Sequence, residues 1–131
     1  MKIKLCNCGS GIAAEKCCLP FIVGELIPDS AEKLMRSRYV AYSQANIPYI
    51  VATMRDTALA DYDDAEAFEW AKSVKWLKLE VVDSYSLSDT QSVVEFKAYF
   101  RANNKKQCLH EISEFHHKDG RWFYIGSIDK K

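Results

Sequence analysis

The fold is decided by residues 107–128, QCLHEISEFHHKDGRWFYIGSI. In the first half, apolar and polar side chains alternate with a period of two, which is typical of a β-strand. The pair Asp119-Gly120 then favours a tight turn, because both residue types tolerate the backbone angles that a two-residue hairpin needs. In the second half, Trp122 and Tyr124 alternate with the apolar residues between and after them. The stretch predicts an antiparallel hairpin.

The same period of two begins earlier in the chain, at about Trp76. Leu77, Leu79 and Val81 alternate with charged residues, and residues 94–100 repeat the pattern. Such runs predict two further strands. We therefore expect an antiparallel meander of about four strands in the second half of the chain.

The first half of the body has helical periodicity instead. Residues 29–32, DSAE, resemble a capping box with Asp29 as its first residue, and a helix is predicted from there to about Gln44. A second helix is predicted over 46–54 with Pro48 in its first turn, and a third over 65–75. The acidic residues before the third helix suit helix capping better than metal binding, and they are Asp61, Asp63 and Asp64. Helices followed by a meander indicate the α+β class.

Composition excludes several classes of protein. The chain has 131 residues, enough for one domain with a small appendage, and 48% of them are hydrophobic. Lys plus Arg equal Asp plus Glu at 18 each, so a general nucleic-acid binder is not expected. The sequence has no apolar run long enough to cross a membrane and no room before Cys6 for the apolar part of a leader. We therefore expect a soluble, cytoplasmic protein.

Four of the five cysteines form two close pairs, Cys6-x-Cys8 and Cys17-Cys18, separated by eight residues. Clustered thiols in a reducing compartment hold metal more often than they form disulfides, and four thiolates match the tetrahedral preference of zinc. Two alternatives stay open: redox-active adjacent thiols, or small residues without a shared role. Cys108 stands alone in a strand and is expected to be a small core residue.

The cysteine segment also carries a resemblance. The run CNCGSG at residues 6–11, continued to Cys17-Cys18, resembles the SEC-C motif, the zinc knuckle at the tail of the SecA translocation motor. Residues 34–39, Trp76, the run from Glu111 and the run from Arg121 resemble the YchJ-like family of uncharacterised bacterial proteins. Together the two resemblances cover nearly the whole chain.

The resemblance implies both an architecture and a site. It assigns the zinc ligands to Cys6, Cys8, Cys17 and Cys18, in a knuckle over residues 1–18. A linker over 19–28, expected to pack on the body through Phe21, Ile22, Leu26 and Ile27, would join it to a domain over 29–131. That domain would have the cone-shaped fold of nuclear transport factor two. Because the knuckle of the translocase engages partner proteins, the resemblance suggests protein interaction here.

Folds of this cone type often enclose a pocket. The candidate polar and aromatic residues for such a pocket are Arg36, Arg38, Tyr39, Asp63, Trp76, His110, Glu111 and Tyr124. Arg38 lies on the apolar stripe of the first helix, so we expect it to be buried and paired with Glu111 as a structural ion pair. The alternative is an enzyme in which Glu111 acts as a base and an arginine binds an anionic ligand.

The leading hypothesis is a zinc-binding adaptor that docks to another protein through its knuckle. A small-molecule enzyme using the cone is the alternative. A homodimer through the sheet stays open, with Tyr99 and Phe123 expected on the exposed strand faces.

Overall fold

The computed structural model describes residues 4–60 and 62–128, and it has an α+β fold in which helices pack on an antiparallel sheet. A single 3-10 turn at Ala14–Lys16 precedes the helices. The helices are α1 (Leu19–Ile22), α2 (Ala31–Ser43), α3 (Ile47–Ala52), α4 (Asp56–Ala60) and α5 (Asp64–Ser73). The strands are β1 (Lys75–Ser88), β2 (Gln91–Ala102), β3 (Lys105–Lys118) and β4 (Arg121–Ser127).

The sheet is a meander in the order β1-β2-β3-β4, with each strand antiparallel to its neighbour. Phe96 on β2 lies opposite Val81 on β1 and Glu111 on β3. The predicted turn joins β3 to β4, where Asp119 and Gly120 have φ angles of 52° and 82°. This register places Glu111 on the sheet face that the helices cover.

Helix α2 crosses that face, and its first turn differs by one residue from the prediction. Ser30, not Asp29, is the N-cap, and its hydroxyl accepts a hydrogen bond from the Lys33 amide at 3.1 Å. Ser30 adopts the extended backbone of an N-cap, which leaves Asp29 outside the helix to pair with Lys33 at 3.0 Å. Leu34 and Arg38 point into the core, as the apolar stripe predicts.

The remaining helices follow local capping signals. Asn46 caps α3, and the Asp63 carboxylate caps α5 by accepting from the Glu66 amide at 3.0 Å. Asp63 is thus a helix cap and not a pocket residue, and Asp61 lies outside the described residues. Helix α4, only five residues long, was not predicted.

Several expectations about exposure are wrong. Cys108 is exposed, because its side of β3 faces away from the helices. Phe123 is only 2% exposed, since the Arg55 guanidinium stacks on its ring, and it is not available on an open sheet face. In the segment after the knuckle, Ile22 packs against the core, but Leu26 and Ile27 are exposed.

Within the described residues, the helices are all too short or too polar to cross a bilayer.

Candidate functional site

The knuckle is a short antiparallel ribbon closed by backbone hydrogen bonds. The Cys6 amide donates to the Ile12 carbonyl at 2.9 Å, and the Ala14 amide donates to the Lys4 carbonyl at 2.9 Å. The 3-10 turn then brings the chain back to Cys17 and Cys18, whose carbonyl begins α1. The ribbon and the turn thereby bring the two cysteine pairs together.

The turn of the ribbon lies directly against the sheet. Gly9 has a φ of +83°, a left-handed conformation that favours glycine, and a Cβ atom there would lie 3.0 Å from the Leu79 carbonyl oxygen. On the other side, the Arg36 guanidinium donates to the Cys8 carbonyl at 2.7 Å and pairs with Glu32 at 3.1 Å. Arg36 therefore supports the knuckle and does not line the pocket to which it was assigned.

The four cysteine sulfurs all lie within 4.8 Å of one another. The Sγ–Sγ distances are 3.6 Å for Cys8 and Cys17 and 3.8 Å for Cys17 and Cys18. Sulfurs at the corners of a tetrahedron around zinc, with Zn–S bonds of about 2.3 Å, are about 3.8 Å apart. Cys6, Cys8 and Cys18 are buried and Cys17 is partly exposed. The residues present fit one tetrahedral metal ion.

The electrostatics of the cluster favour a bound cation. A hydrogen bond from the Cys18 thiol lowers the pKa of Cys8 to about 4, so Cys8 carries a thiolate charge. Donating that hydrogen bond, together with burial, raises the pKa of Cys18, and burial raises the pKa of Cys17. The thiolate charge on Cys8 therefore disfavours ionisation of the neighbouring cysteines. A divalent cation at the centre would remove this repulsion and allow all four thiols to ionise.

A cavity of about 150 Å³ lies between the helices and the sheet. Its polar lining is Arg38, Glu111 and Ser113, and the remaining lining is largely aromatic. The aromatic side chains that line it are Tyr39, Tyr42, Trp70, Trp76, Phe96, Phe115 and Tyr124. Of the eight predicted pocket residues, five are thus brought together, whereas Arg36, Asp63 and His110 do not line the cavity.

The ion pair expected between Arg38 and Glu111 does not form. Arg38 donates to the Ile50 carbonyl at 2.9 Å and to the Thr53 hydroxyl at 2.6 Å, and its guanidinium lies 4.6 Å from the centre of the Tyr124 ring. Glu111 accepts from the Tyr124 hydroxyl at 2.8 Å and from the Ser113 hydroxyl at 2.5 Å. The ring of Tyr124 links the two charged groups. Burial raises the pKa of Tyr124, so its phenol stays protonated as a donor.

His110 is outside the cavity, where its ring hydrogen-bonds Glu95 at 2.6 Å. Trp70 and Tyr42 were not predicted as pocket residues. Tyr42 lies on α2 one turn after Arg38, and Trp70 lies on α5 one turn after Ala67, so apolar residues at helical spacing were the signal that could have found them.

A cone-like α+β body carrying a knuckle of four clustered cysteines defines the class of this protein. A family model described as "YchJ, middle NTF2-like domain" matches residues 30–127, and the chain belongs to this YchJ family. A UPF0225 protein of Actinobacillus succinogenes is 40% identical over 124 residues, covering 94% of this chain and 80% of that protein.

Two solved structures are similar over nearly the whole chain. A SEC-C motif containing protein from Rhodopseudomonas palustris is 33% identical with a TM-score of 0.88, covering 96% of this chain and 98% of that one. A SEC-C motif containing protein from Psychrobacter arcticus is 30% identical with a TM-score of 0.81, covering 96% and 84%.

Proposed function

We propose that Cys6, Cys8, Cys17 and Cys18 bind one Zn²⁺ and that the zinc-bound knuckle docks the protein to a partner protein. The observation that carries the proposal is the gathering of four sulfurs within 4.8 Å by two cysteine pairs. Thiolates are soft ligands, and a tetrahedral set of four suits zinc or an iron–sulfur centre. The single compact tetrahedron, with sulfurs as close as 3.6 Å, favours one zinc ion.

The zinc would be structural. Four protein ligands leave no coordination position for a water or substrate. The segment over residues 4–18 contributes few large apolar side chains, so the ion would supply the cross-link that fixes its shape. A thiolate site of this kind is stable in a reducing compartment, which supports a cytoplasmic location.

The docking role is supported by the exposed apolar side chains around the metal cluster. Leu5 is 57% exposed and Ile12 is 49% exposed, on the ribbon that carries the first cysteine pair. Val23, Leu26 and Ile27, in the segment that follows α1, are further exposed apolar side chains. Leu5, Ile12, Val23, Leu26 and Ile27 are called the knuckle surface below. Such a surface fits an apolar segment of a partner protein.

The metal is tested by elemental analysis of protein purified without oxygen. We expect one zinc per chain, and loading with Co²⁺ should give the visible absorption of tetrahedral thiolate coordination. Iron with sulfide, or protein free of metal with its thiols reduced, would refute the zinc assignment.

Docking is tested by affinity capture with the intact chain and with a Leu5→Ser/Ile12→Ser variant that keeps all four cysteines. The matched control is Leu87→Ser, which changes a leucine of equal exposure, 57%, at the far end of β1. We expect a partner that binds the intact chain and the control but not the double variant, both in lysate and as purified protein. Identical partners for all three proteins would refute docking through the knuckle surface.

A further inference from the structure

The outer face of the sheet, turned away from the helices, carries a row of three cations across its first three strands. Lys75 on β1 pairs in register with Arg101 on β2, and Arg101 pairs with Lys106 on β3. Cross-strand partners project from the same face of a sheet. Phe100, the neighbour of Arg101 in β2, is buried against α5, so Arg101 and its two partners project outward. Lys75, Arg101 and Lys106 are called the cation row below.

The cation row is unfavourable for the protein on its own. Neighbouring strands lie only about 4.8 Å apart, and like charges directly opposite each other are destabilising. All three side chains are exposed, and none of them forms a salt bridge with a residue that the structure describes. Bound anionic groups would remove this repulsion. The cation row therefore favours a partner that carries several negative charges.

The next row along the same face adds an aromatic ring. Tyr99 on β2 lies in register opposite Lys78 on β1. The ammonium groups of Lys78 and Lys106 lie 5.1 Å and 5.5 Å from the centre of the Tyr99 ring. The acidic side chains of this face begin one row further on, with Glu80, whose Oε1 accepts from the Tyr99 hydroxyl at 3.2 Å. The cation row and Lys78 thus place four cations around one partly exposed ring.

Four cations and an aromatic ring match the two parts of a nucleotide. Lysine and arginine pair with phosphate oxygens, and an aromatic side chain offers a base a surface for stacking. A run of acidic residues in a protein would use the cations but not the ring. A base must be unpaired to stack on Tyr99, which selects a single strand. Lys78 and Lys106 are exposed, so their ammonium groups can move from the ring to phosphates when a base takes their place.

We propose that this end of the outer face binds single-stranded nucleic acid, with phosphates on the cation row and Lys78 and with one base stacked on Tyr99. The formal net charge of the chain is zero, so the attraction comes from this local group of cations and not from the molecule as a whole. The site lies on the side of the sheet opposite the helices, and it does not depend on docking through the knuckle surface.

The test uses the full metal-loaded chain and a short fluorescein-labelled oligouridylate, with fluorescence anisotropy measured over a range of salt concentrations. Four phosphate contacts on a single strand predict a slope of about −3 for the logarithm of the binding constant against that of the salt concentration. The comparison probe is a labelled oligoglutamate of the same length, which carries charge without bases. We expect the RNA to bind about tenfold more tightly than the peptide, through stacking. Equal binding of the two probes, or no binding of the RNA at low salt, would overturn the proposal.

Two charge variants test whether the attraction is local. Arg101→Ser should weaken RNA binding and make the salt slope shallower by about 0.7, the share of one phosphate contact. Lys33→Ser is the matched control, because it removes an equal charge from an exposed lysine of α2, on the other side of the sheet. The control should bind RNA as the unchanged chain does. Equal losses in both variants would overturn the assignment of the site to the outer face.

Two ring variants test the stacked base. Tyr99→Ala should bind RNA about tenfold more weakly with an unchanged salt slope. Tyr99→Phe loses the hydroxyl that contacts Glu80 but keeps the ring, so it should retain the affinity of the unchanged chain. Full affinity in Tyr99→Ala, in a variant whose NMR spectrum shows the native fold, would refute stacking and with it the choice of nucleic acid as the partner.

Discussion

At the scale of single residues, two glycines of the knuckle differ in their surroundings but not in their backbone. Gly9 and Gly11 have φ angles of +83° and +82°, yet a Cβ atom would approach Leu79 only from Gly9. Gly11→Ala should cost about 1 kcal/mol through its backbone conformation alone. Gly9→Ala should cost about 1 to 3 kcal/mol more, because the added methyl group is too close to a backbone oxygen.

Thermal and denaturant unfolding of the two variants measures this difference. Gly11→Ala serves as the control for backbone strain. Equal losses would mean that the knuckle does not lie as closely against β1 as the structure describes.

Cys8 and Cys108 have different surroundings, since Cys8 is buried in the sulfur cluster and Cys108 is exposed outside it. Cys8→Ser removes a buried member of the sulfur cluster, so we expect loss of the bound metal and of more than about 4 kcal/mol of unfolding free energy. Cys108→Ser changes an exposed thiol outside the cluster and should leave both unaltered. Metal content and denaturant unfolding are the measurements, and full metal content in the Cys8 variant would contradict the ligand assignment.

The sequence predicts the cluster well and the pocket contacts poorly. The four cysteines are fixed by spacing within a short ribbon, so local geometry is enough to bring them together. Arg38 and Glu111 were correctly placed on facing surfaces. However, Tyr124 contacts both of them, and the Arg38 guanidinium donates its hydrogen bond to Thr53 and not to Glu111. Those contacts depend on the pairing of the segment after α3 with β4, where Met54 forms a parallel bridge to Tyr124, and sequence periodicity does not contain such a long-range pairing.

At the scale of elements, an ion pair links α4 to the end of β3. Lys118 contacts Asp56 at 2.6 Å, and its hydrogen bond lowers the pKa of Asp56. A lowered folded-state pKa stabilises the protein above the unfolded-state pKa, and that stabilisation is lost as the pH falls through the folded-state value.

Lys118→Met should therefore raise the pKa of Asp56 toward its ordinary range, as measured by NMR titration of the carboxyl. The variant should also be slightly less stable than the unchanged chain near neutral pH, with the difference disappearing in acid. Lys105→Met, at the other end of β3, is the control. An unchanged Asp56 titration would show that the pair does not form in solution.

The long elements were predictable, and so were the shorter α3 and β4, which carry a Pro in the first turn and a hairpin turn as local signals, but α1 and α4 were not predicted. Strands β2 and β3 and helix α2 are each longer than ten residues. Over that length the periodic pattern of apolar residues stays clear even where single positions depart from it. Helix α4 has five residues and depends on tertiary contacts, such as the Arg55 amide donating to the Tyr124 carbonyl at 3.1 Å. The exposure of Cys108 depends on which side of β3 the helices cover.

At the scale of the whole molecule, the knuckle and the body share one core. Cys6, Cys8 and Cys18 belong to the same buried cluster as Met35 and Leu79. Removing the metal with a chelator should therefore loosen the body beside the knuckle as well as the knuckle itself.

Hydrogen exchange on the metal-loaded and chelated protein measures this coupling. We expect amides around Leu79 in β1 to lose protection, because they lie under the knuckle. Amides of β4 around Ile125, on the opposite edge of the sheet, should change much less. Equal loss in both strands would indicate global unfolding, and no loss in β1 would refute the coupling.

The shared core has a consequence for protein engineering. A knuckle transplanted from another protein would have to supply a glycine over Leu79 and a carbonyl for Arg36, as well as its four sulfurs. Chimaeras joined within residues 19–28 should fail unless the incoming loop reproduces both of these contacts. The metal-binding segment of this chain therefore cannot be exchanged freely, because the body around Leu79 and Arg36 restricts which segments could replace it.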